Sequence, residues 1–278
     1  MHILELDKTC MKIFNILRAK IDEMKIRGIS NVYKELSRNP AYFLYKTFSI
    51  NPKYSTRRYK PLVEAEEKLL RAYIKQGDLI LDAGCGDGRN GLKIVEELNL
   101  NPAGVVLFDI NPSYLKKLGK FVRRSKNGCY FIMRGSIFDI GLKSDMFDIV
   151  ICTGGVLSLA YGGSIDDGLM ELRRVTKDRS MIIFSIITME RLIKTAEERG
   201  REDIKEEVMR TGIYPNWNEQ YGEGICKGWY VDEVEDKMRH LGLEIVAKEL
   251  VYLSYRDVPD SVLIVCRKKE EEYDQRMA

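Results

Sequence analysis

Short apolar runs alternate with amphipathic helical stretches from about residue 78 onward. The apolar runs cover residues 79–81, 104–108, 130–133, 147–152 and 181–187. The segments between them predict helices at about residues 88–98, 112–124 and 165–175. This alternation predicts βαβ units and a parallel sheet that is covered by helices.

The C-terminal part of the chain ends in a different pattern. The charged stretch after residue 187 predicts helix to about residue 210, and a further helix is predicted at about 231–241. Two strand-like runs follow, at 243–253 and 261–267. Five strands with helices and then a terminal strand pair predict an α/β fold with a doubly wound, seven-stranded sheet.

The first 60 residues do not share the alternating pattern. Apolar residues recur at helical spacing over residues 1–27, and a short second helix is predicted at about 31–36. Residues 62–75 predict another amphipathic helix. We therefore predict an N-terminal helical extension or lid over residues 1–60 and a second domain over residues 61–278.

The N-terminal extension is basic. Residues 1–60 contain thirteen Lys and Arg against five Asp and Glu, a net charge of +8, so the formal total of +3 leaves −5 for the remainder. The interpretation that we favour is a solvated helix face, because basic faces are common on surface helices. The alternative is an arm that binds an anionic substrate such as RNA.

The composition excludes several classes of protein. A hydrophobic content of 45% and a charged content of 31% are typical of a globular chain. No apolar run approaches the roughly 18–20 residues that span a bilayer, and Glu5 and Asp7 are unlike a signal peptide. The six cysteines form no C-x-x-C pair and there are only two histidines. We therefore expect a cytoplasmic protein with no membrane partner, free thiols and no metal site.

A glycine-rich loop follows the first predicted strand of the domain. Asp82 is followed by Gly84, Gly86 and Gly88 at alternate positions, and a helix is predicted directly afterwards. Alternate glycines let a ligand approach the backbone where a Cβ would clash. The dinucleotide pattern G-x-G-x-x-G fails here, because the position after Gly88 is Arg89. An acid before the loop would repel a pyrophosphate but suits an ammonium group, which S-adenosylmethionine (SAM) carries.

A second acid ends the next predicted strand. Asp109 lies 25 positions after Gly84, close to the roughly 20 positions typical of a ribose-binding acid. A carboxylate at this place can accept hydrogen bonds from both ribose hydroxyls. The alternative role, capping the helix that begins near Pro112, suits Asn111 better.

These motifs resemble the class I SAM-dependent methyltransferases, whose fold is Rossmann-like. The resemblance extends over about residues 62–267 and implies a mostly parallel sheet whose last strand is antiparallel. It also implies SAM as cofactor and an adenine-binding stretch near Ser136, where the family often has an acid. The cofactor-binding residues that the motifs and the resemblance predict are Asp82, Gly84, Cys85, Gly86, Gly88, Asp109, Ile110, Ser136, Ile137 and Thr153.

The resemblance implies in-line displacement by a nucleophile on the sulfonium methyl group. Residues 152–157, after the fourth strand, carry no acid, base or aromatic clamp, and they lack the Asn/Asp-Pro-Pro-aromatic motif of nucleic-acid enzymes. No catalytic residue is therefore predicted, and Cys152 is interpreted as a buried structural cysteine. Aromatic residues outside the core are the candidate substrate contacts: Tyr54, Tyr59, Tyr214 and Trp217.

Four functions agree with these residues to different degrees. A methyltransferase that acts on a small molecule is the interpretation that we favour. An RNA methyltransferase that uses the basic extension comes second, and a SAM-binding protein without catalysis comes third. An NAD-dependent enzyme is disfavoured by the missing final glycine.

Overall fold

The computed structural model describes residues 64–125, 130–158, 164–214 and 226–269. The predicted extension over residues 1–60 lies outside these ranges. Among the described residues, no helix is both long and apolar enough to cross a membrane.

Seven helices and nine strands occur in the described ranges. The helices are α1 (Glu64–Tyr73), α2 (Arg89–Glu96), α3 (Pro112–Val122), α4 (Ile165–Val175), α5 (Met189–Glu198), α6 (Glu202–Thr211) and α7 (Val231–His240). The strands are β1 (Leu79–Ala83), β2 (Gly104–Asp109), β3 (Tyr130–Arg134), β4 (Phe147–Cys152), β5 (Thr176–Ile187), β6 (Ile213–Tyr214), β7 (Cys226–Lys227), β8 (Leu243–Val251) and β9 (Ser261–Lys268).

Seven of the strands form one sheet in the order β3-β2-β1-β4-β5-β9-β8. The pairs from β3 to β5 are parallel, whereas β9 pairs antiparallel with both β5 and β8. The predicted seven-stranded α/β sheet with an antiparallel last strand is therefore confirmed. Strand order reverses between β1 and β4, and such a switch point at the carboxyl ends of parallel strands is where open α/β sheets bind ligands.

Hydrophobic cores lie on both faces of this sheet. Along β4, Val150 and Cys152 face one core while Ile149 and Ile151 face the other. Helices α4 and α7 cover the first face, and α1, α2 and α3 cover the second. Burial on both faces explains why these strands have continuous apolar sequences instead of alternating ones.

The sequence predicts only part of the structure that follows β5. The charged stretch forms two helices, α5 and α6, and not one. The small sheet of β6 and β7 pairs Ile213 with Lys227 and Tyr214 with Cys226. Strands of two residues are too short to show a periodicity, so the sequence gives no signal for them.

We expect two helical glycines to respond in opposite ways to alanine. A Cβ at Gly91 in α2 would lie 2.4 Å from Leu107 Cδ2, whereas a Cβ at Gly119 in α3 has no neighbour closer than Ile132 Cδ1 at 3.9 Å. Gly91→Ala should lower the free energy of unfolding by about 1–3 kcal/mol through overpacking. Gly119→Ala should raise it by about 0.4–1 kcal/mol. Urea unfolding measures both, and equal shifts would contradict the packing of α2 on β2.

Candidate functional site

The glycine loop leaves open space next to one of its three glycines, Gly86. Gly84, Gly86 and Gly88 all have positive φ angles, of 75°, 54° and 85°. A Cβ at Gly84 would lie 2.6 Å from Val156 Cγ1, and one at Gly88 would lie 2.5 Å from Leu118 Cδ2. A Cβ at Gly86 would have no atom within 4 Å. Packing therefore explains two of the glycines, whereas the loop leaves open space at Gly86.

Asp109 closes the loop onto the end of β2. The N–H of Gly86 donates to Asp109 Oδ2 at 2.8 Å, and the N–H of Asn111 donates to Oδ1 at 2.7 Å. The side chain is 8% exposed, and this burial raises the pKa of Asp109. Since a carboxylate offers about four lone-pair sites, each oxygen can still accept from a hydroxyl group. The geometry fits the predicted contact with a ribose.

Asp82 is fully buried beneath the first turn of α2. The N–H of Gly91 donates to Asp82 Oδ2 at 2.9 Å, while Oδ1 has no hydrogen-bond partner. Burial raises the pKa of Asp82 to about 7, against the opposing effects of the Gly91 N–H and the charge of Arg89. Asn90 Oδ1 is also buried without a partner. An ammonium group is the kind of donor that would satisfy these two acceptor oxygens.

Arg89 links helix α1 to the turn after β4. Its Nη2 donates to Glu66 Oε1 at 2.5 Å and to Thr153 Oγ1 at 3.5 Å. Asn90 Nδ2 donates to the same Thr153 oxygen at 2.8 Å. The predicted residue Thr153 therefore lies beside the glycine loop. The sequence motifs do not single out Glu66, Arg89 and Asn90. The position of Arg89 and Asn90 directly after the loop was an available signal, whereas only the folded chain brings Glu66 to them.

The predicted adenine-binding residues lie next to Asp109. The N–H of Gly135 donates to the Asp109 carbonyl at 3.2 Å, which places the turn that follows β3 beside the end of β2. In that turn, Ser136 Oγ accepts from the Phe138 N–H at 3.3 Å, and Ile137 is buried. Ile110 is half-buried. Their contact with a ligand stays a prediction.

Two cysteines near the site are poor nucleophiles. Cys85 in the glycine loop and Cys152 at the end of β4 are both buried, and burial raises the pKa of each thiol. Among the described residues, no group of three or more His, Cys, Asp or Glu side chains could hold a metal ion.

Of the predicted substrate contacts, one lies within the described ranges. Tyr214 is fully buried in a small core under α5 and α6, and its hydroxyl accepts from Arg199 Nη1 at 3.1 Å. Tyr54, Tyr59 and Trp217 lie outside the described residues. A substrate role for all four stays a prediction.

A family of methyltransferase domains matches residues 74–224, which are 151 of the 278 residues. No curated protein matches the chain. Among solved structures, the chain is similar to a SAM-dependent methyltransferase from Methanosarcina mazei, with 18% identity and a TM-score of 0.61 over 76% of this chain and all of that one. It is also similar to a protein from Pyrococcus horikoshii, with 21% identity and a TM-score of 0.55 over 81% and 95% of the two chains.

A third similar structure contains ligands. It is the 1,6-didemethyltoxoflavin-N1-methyltransferase of Burkholderia thailandensis with 1,6-didemethyltoxoflavin and S-adenosylhomocysteine bound. Its identity is 13% and its TM-score 0.54, over 74% of this chain and 78% of that one. The similarity to these solved structures shows the fold, and the family match shows that residues 74–224 are a methyltransferase domain. With the sheet order and the glycine loop in agreement, the chain belongs to the methyltransferase domain family and is a SAM-dependent methyltransferase of the class I, Rossmann-like type.

Proposed function

We propose that this protein transfers the methyl group of SAM to a small-molecule acceptor. The observation that carries the proposal is the open space at Gly86, in the loop that follows the buried Asp82 and that donates to the buried Asp109 through the Gly86 N–H. The acceptor class is supported by the lack of a nucleic-acid motif in residues 152–157. The similar fold of an enzyme whose structure holds 1,6-didemethyltoxoflavin adds support.

Different side chains of the described site would contact different parts of SAM. Asp109 would accept from the ribose hydroxyls, and the turn at Ser136 would contact the adenine. Asp82 Oδ1 and Asn90 Oδ1, which have no partner, would accept from the ammonium group. The guanidinium of Arg89 would lie near the carboxylate of the methionine end. When bound, SAM supplies a methyl group that its sulfonium already activates.

Transfer requires alignment more than acid–base chemistry. SAM held by Asp82, Asn90 and Asp109 would supply its methyl carbon to a lone pair of the acceptor, and the electron pair of the broken carbon–sulfur bond would stay on sulfur. The proton of the acceptor then leaves to water. Residues 153–157 carry no acid or base, so the protein accelerates the step by positioning the two partners and excluding water.

The N-terminal extension is proposed to cover this site. Helix α1 begins at Glu64, and Glu66 in its first turn binds Arg89 beside the glycine loop. The first described residues after the extension therefore lie beside the cofactor site. This position supports the lid that the sequence predicts.

Gly86→Ala should weaken binding of S-adenosylhomocysteine at least about tenfold, or about 1.4 kcal/mol. The added methyl group would occupy the space that the ligand needs. Gly200→Ala is the matched control, because Gly200 also has a positive φ, of 62°, with no atom within 4 Å of a Cβ, but lies between α5 and α6. Titration calorimetry measures both variants. Equal losses of affinity would show that backbone strain, not the open space, controls binding.

Binding of S-adenosylhomocysteine should strengthen as the pH rises toward 7. With a pKa of about 7, Asp82 is mostly protonated at lower pH, and only its ionised form pairs with the ammonium group. Affinity should change by about tenfold per pH unit well below that pKa. Calorimetry between about pH 5 and pH 8 measures the change, and Asp82→Asn should abolish it.

The stability of the unliganded protein should change with pH in the direction opposite to the affinity for S-adenosylhomocysteine. Between the usual value of 3.8 and about 7, the folded protein keeps the Asp82 proton that the unfolded chain has released. Stability from this group therefore falls as the pH rises through that range. Urea unfolding of wild type and Asp82→Asn separates this contribution from those of other groups. An identical pH dependence in the two proteins would contradict the assignment.

Label from methyl-tritiated SAM should enter the small-molecule fraction of a cell extract. The matched reaction on total RNA from the same cells should stay at the level of a Gly86→Ala control, because the described site lacks a nucleic-acid motif. Scintillation counting of the two fractions measures the partition. Label that enters RNA, and declines steeply with salt as phosphate contacts require, would establish the RNA alternative instead.

A further inference from the structure

Helix α3 and the turn that follows it carry a row of basic side chains. Between Asp109 and Asp139 the chain has seven Lys and Arg residues and no Asp or Glu. The N–H of Arg123 donates to the Gly119 carbonyl at 3.4 Å, so the helical path continues past Val122. Helical periodicity then places five basic residues within an arc of about 120° and a length of about 12 Å. These exposed residues are the α3 basic face: Lys116, Lys117, Lys120, Arg123 and Arg124.

Acidic side chains do not neutralise this face. In the part of the chain that the structure describes, none of its five side chains has an ion pair or a hydrogen bond. Each of the other six described helices contains a Lys or Arg that binds an acid, as Arg71 binds Glu67 in α1. Glu96 of α2 lies at the far end of α3, but it accepts from the hydroxyls of Ser125 and Tyr130, at 2.7 and 3.0 Å.

This arrangement opposes the stability of the helix. Lys120 has one member of the α3 basic face four positions away on each side and another three positions away on each side. Like charges at these spacings repel each other on a helix. Acids at some of these exposed positions would relieve the repulsion without disturbing the core, because Leu115 and Leu118 pack on the opposite side. A face of one charge sign that neighbours do not neutralise is typical of a surface that binds a polyanion.

The chemistry of the face favours a nucleic-acid strand over a membrane or a protein. A helix that binds a membrane turns apolar side chains toward the lipid, whereas the apolar side of α3 packs in the core of the protein. Protein interfaces are depleted in lysine, and three of the five residues are lysines. Phosphate oxygens are the usual partners of lysine and arginine in complexes with nucleic acids, and a row of phosphates matches a row of basic side chains.

An exposed aromatic side chain lies on the neighbouring strand β3, at the edge of the sheet. Tyr130 and Ile132 pack with α3, so Phe131 points to the other face of the strand, where it is 55% exposed. Unpaired bases of a single strand stack on exposed aromatic rings, whereas the bases of a duplex are already stacked on each other. A single strand that follows α3 and passes round this sheet edge can place a base on Phe131.

We propose that the α3 basic face binds the phosphate backbone of single-stranded RNA, with a base stacked on Phe131. Binding of this kind is independent of base sequence, because phosphate contacts carry no sequence information. The proposal goes beyond the methyl-transfer function, since it concerns where RNA is held and not which molecule is methylated. RNA bound at this face need not be a methyl acceptor.

Fluorescence anisotropy with a labelled uridine oligonucleotide of about 15 nucleotides measures the RNA contact. Lys116→Gln/Lys120→Gln/Arg124→Gln should bind it at least about tenfold more weakly than the wild-type full chain at about 0.1 M salt. The slope of log affinity against log salt concentration should become shallower by about 2, since each phosphate contact to a single strand contributes roughly 0.7. The basic residues 1–60 are present in both proteins, so the difference reports on α3.

A matched triple variant removes the same charge elsewhere. Lys143→Gln/Arg256→Gln/Lys269→Gln loses two lysines and one arginine that are exposed and have no ion pair in the described ranges. Its affinity for RNA should stay within about twofold of wild type. Equal losses in the two triple variants would overturn the proposal, because overall charge and not the α3 basic face would then control binding.

The α3 variant should remain folded and keep its cofactor site. Its free energy of unfolding in urea should not fall, because the substitutions relieve repulsion between like charges. Its affinity for S-adenosylhomocysteine should stay within about twofold of wild type. If the triple variant is unstable, Lys120→Gln alone decides, and its salt slope should be shallower by about 0.7.

Phe131→Ala should weaken RNA binding by at least about fivefold and leave the salt slope unchanged, because stacking is not ionic. Duplex DNA of the same length and vesicles of phosphatidylserine and phosphatidylcholine are the comparison probes. Tighter binding of either probe than of RNA at the same salt concentration, or no effect of Phe131→Ala, would overturn the assignment to single-stranded RNA. These outcomes are separate from the proposed methyl transfer, which fails only if S-adenosylhomocysteine does not bind or no label is transferred.

Discussion

Two buried carboxylates at the ends of adjacent parallel strands hold the whole site in place. Asp82 at β1 accepts from the N–H of Gly91, and Asp109 at β2 accepts from the N–H of Gly86. Buried acids are unfavourable unless donors reach them, so the neighbouring backbone has little freedom. Helix α2 must begin where its first N–H groups meet Asp82, and the glycine loop must curve back to β2.

These contacts leave some acceptor oxygens of the two acids without a hydrogen-bond donor. Burial raises the pKa of both acids, and Asp82 Oδ1 still lacks a donor. The charge of Arg89 is partly compensated, because Glu66 holds it from the side of α1. A ligand with an ammonium group and two vicinal hydroxyls would supply the missing donors. Under the proposed function, the same interactions that fix the loop also select the cofactor.

The turn after β4 connects the cofactor site with the end of β5. Val156 in this turn packs against Gly84 of the glycine loop. Ser158 then ties that turn to the end of β5. A displacement reaction needs both partners held within one rigid frame, and this short segment provides it. The carboxyl ends of the central strands thus carry the cofactor side of the proposed reaction.

Periodicity and the glycine loop alone determined the seven-stranded α/β fold and the cofactor, because apolar runs, alternate glycines and strand-end acids are local patterns that fix local backbone geometry. Asp82 and Asp109 could be named from the sequence for that reason. Only the tertiary structure brought Glu66 to Arg89 and Trp229 to Lys227, and split the stretch after β5 into α5, α6 and the β6–β7 sheet. Such contacts join residues from separate elements, and the burial that makes Tyr214 a core residue depends on how those elements pack.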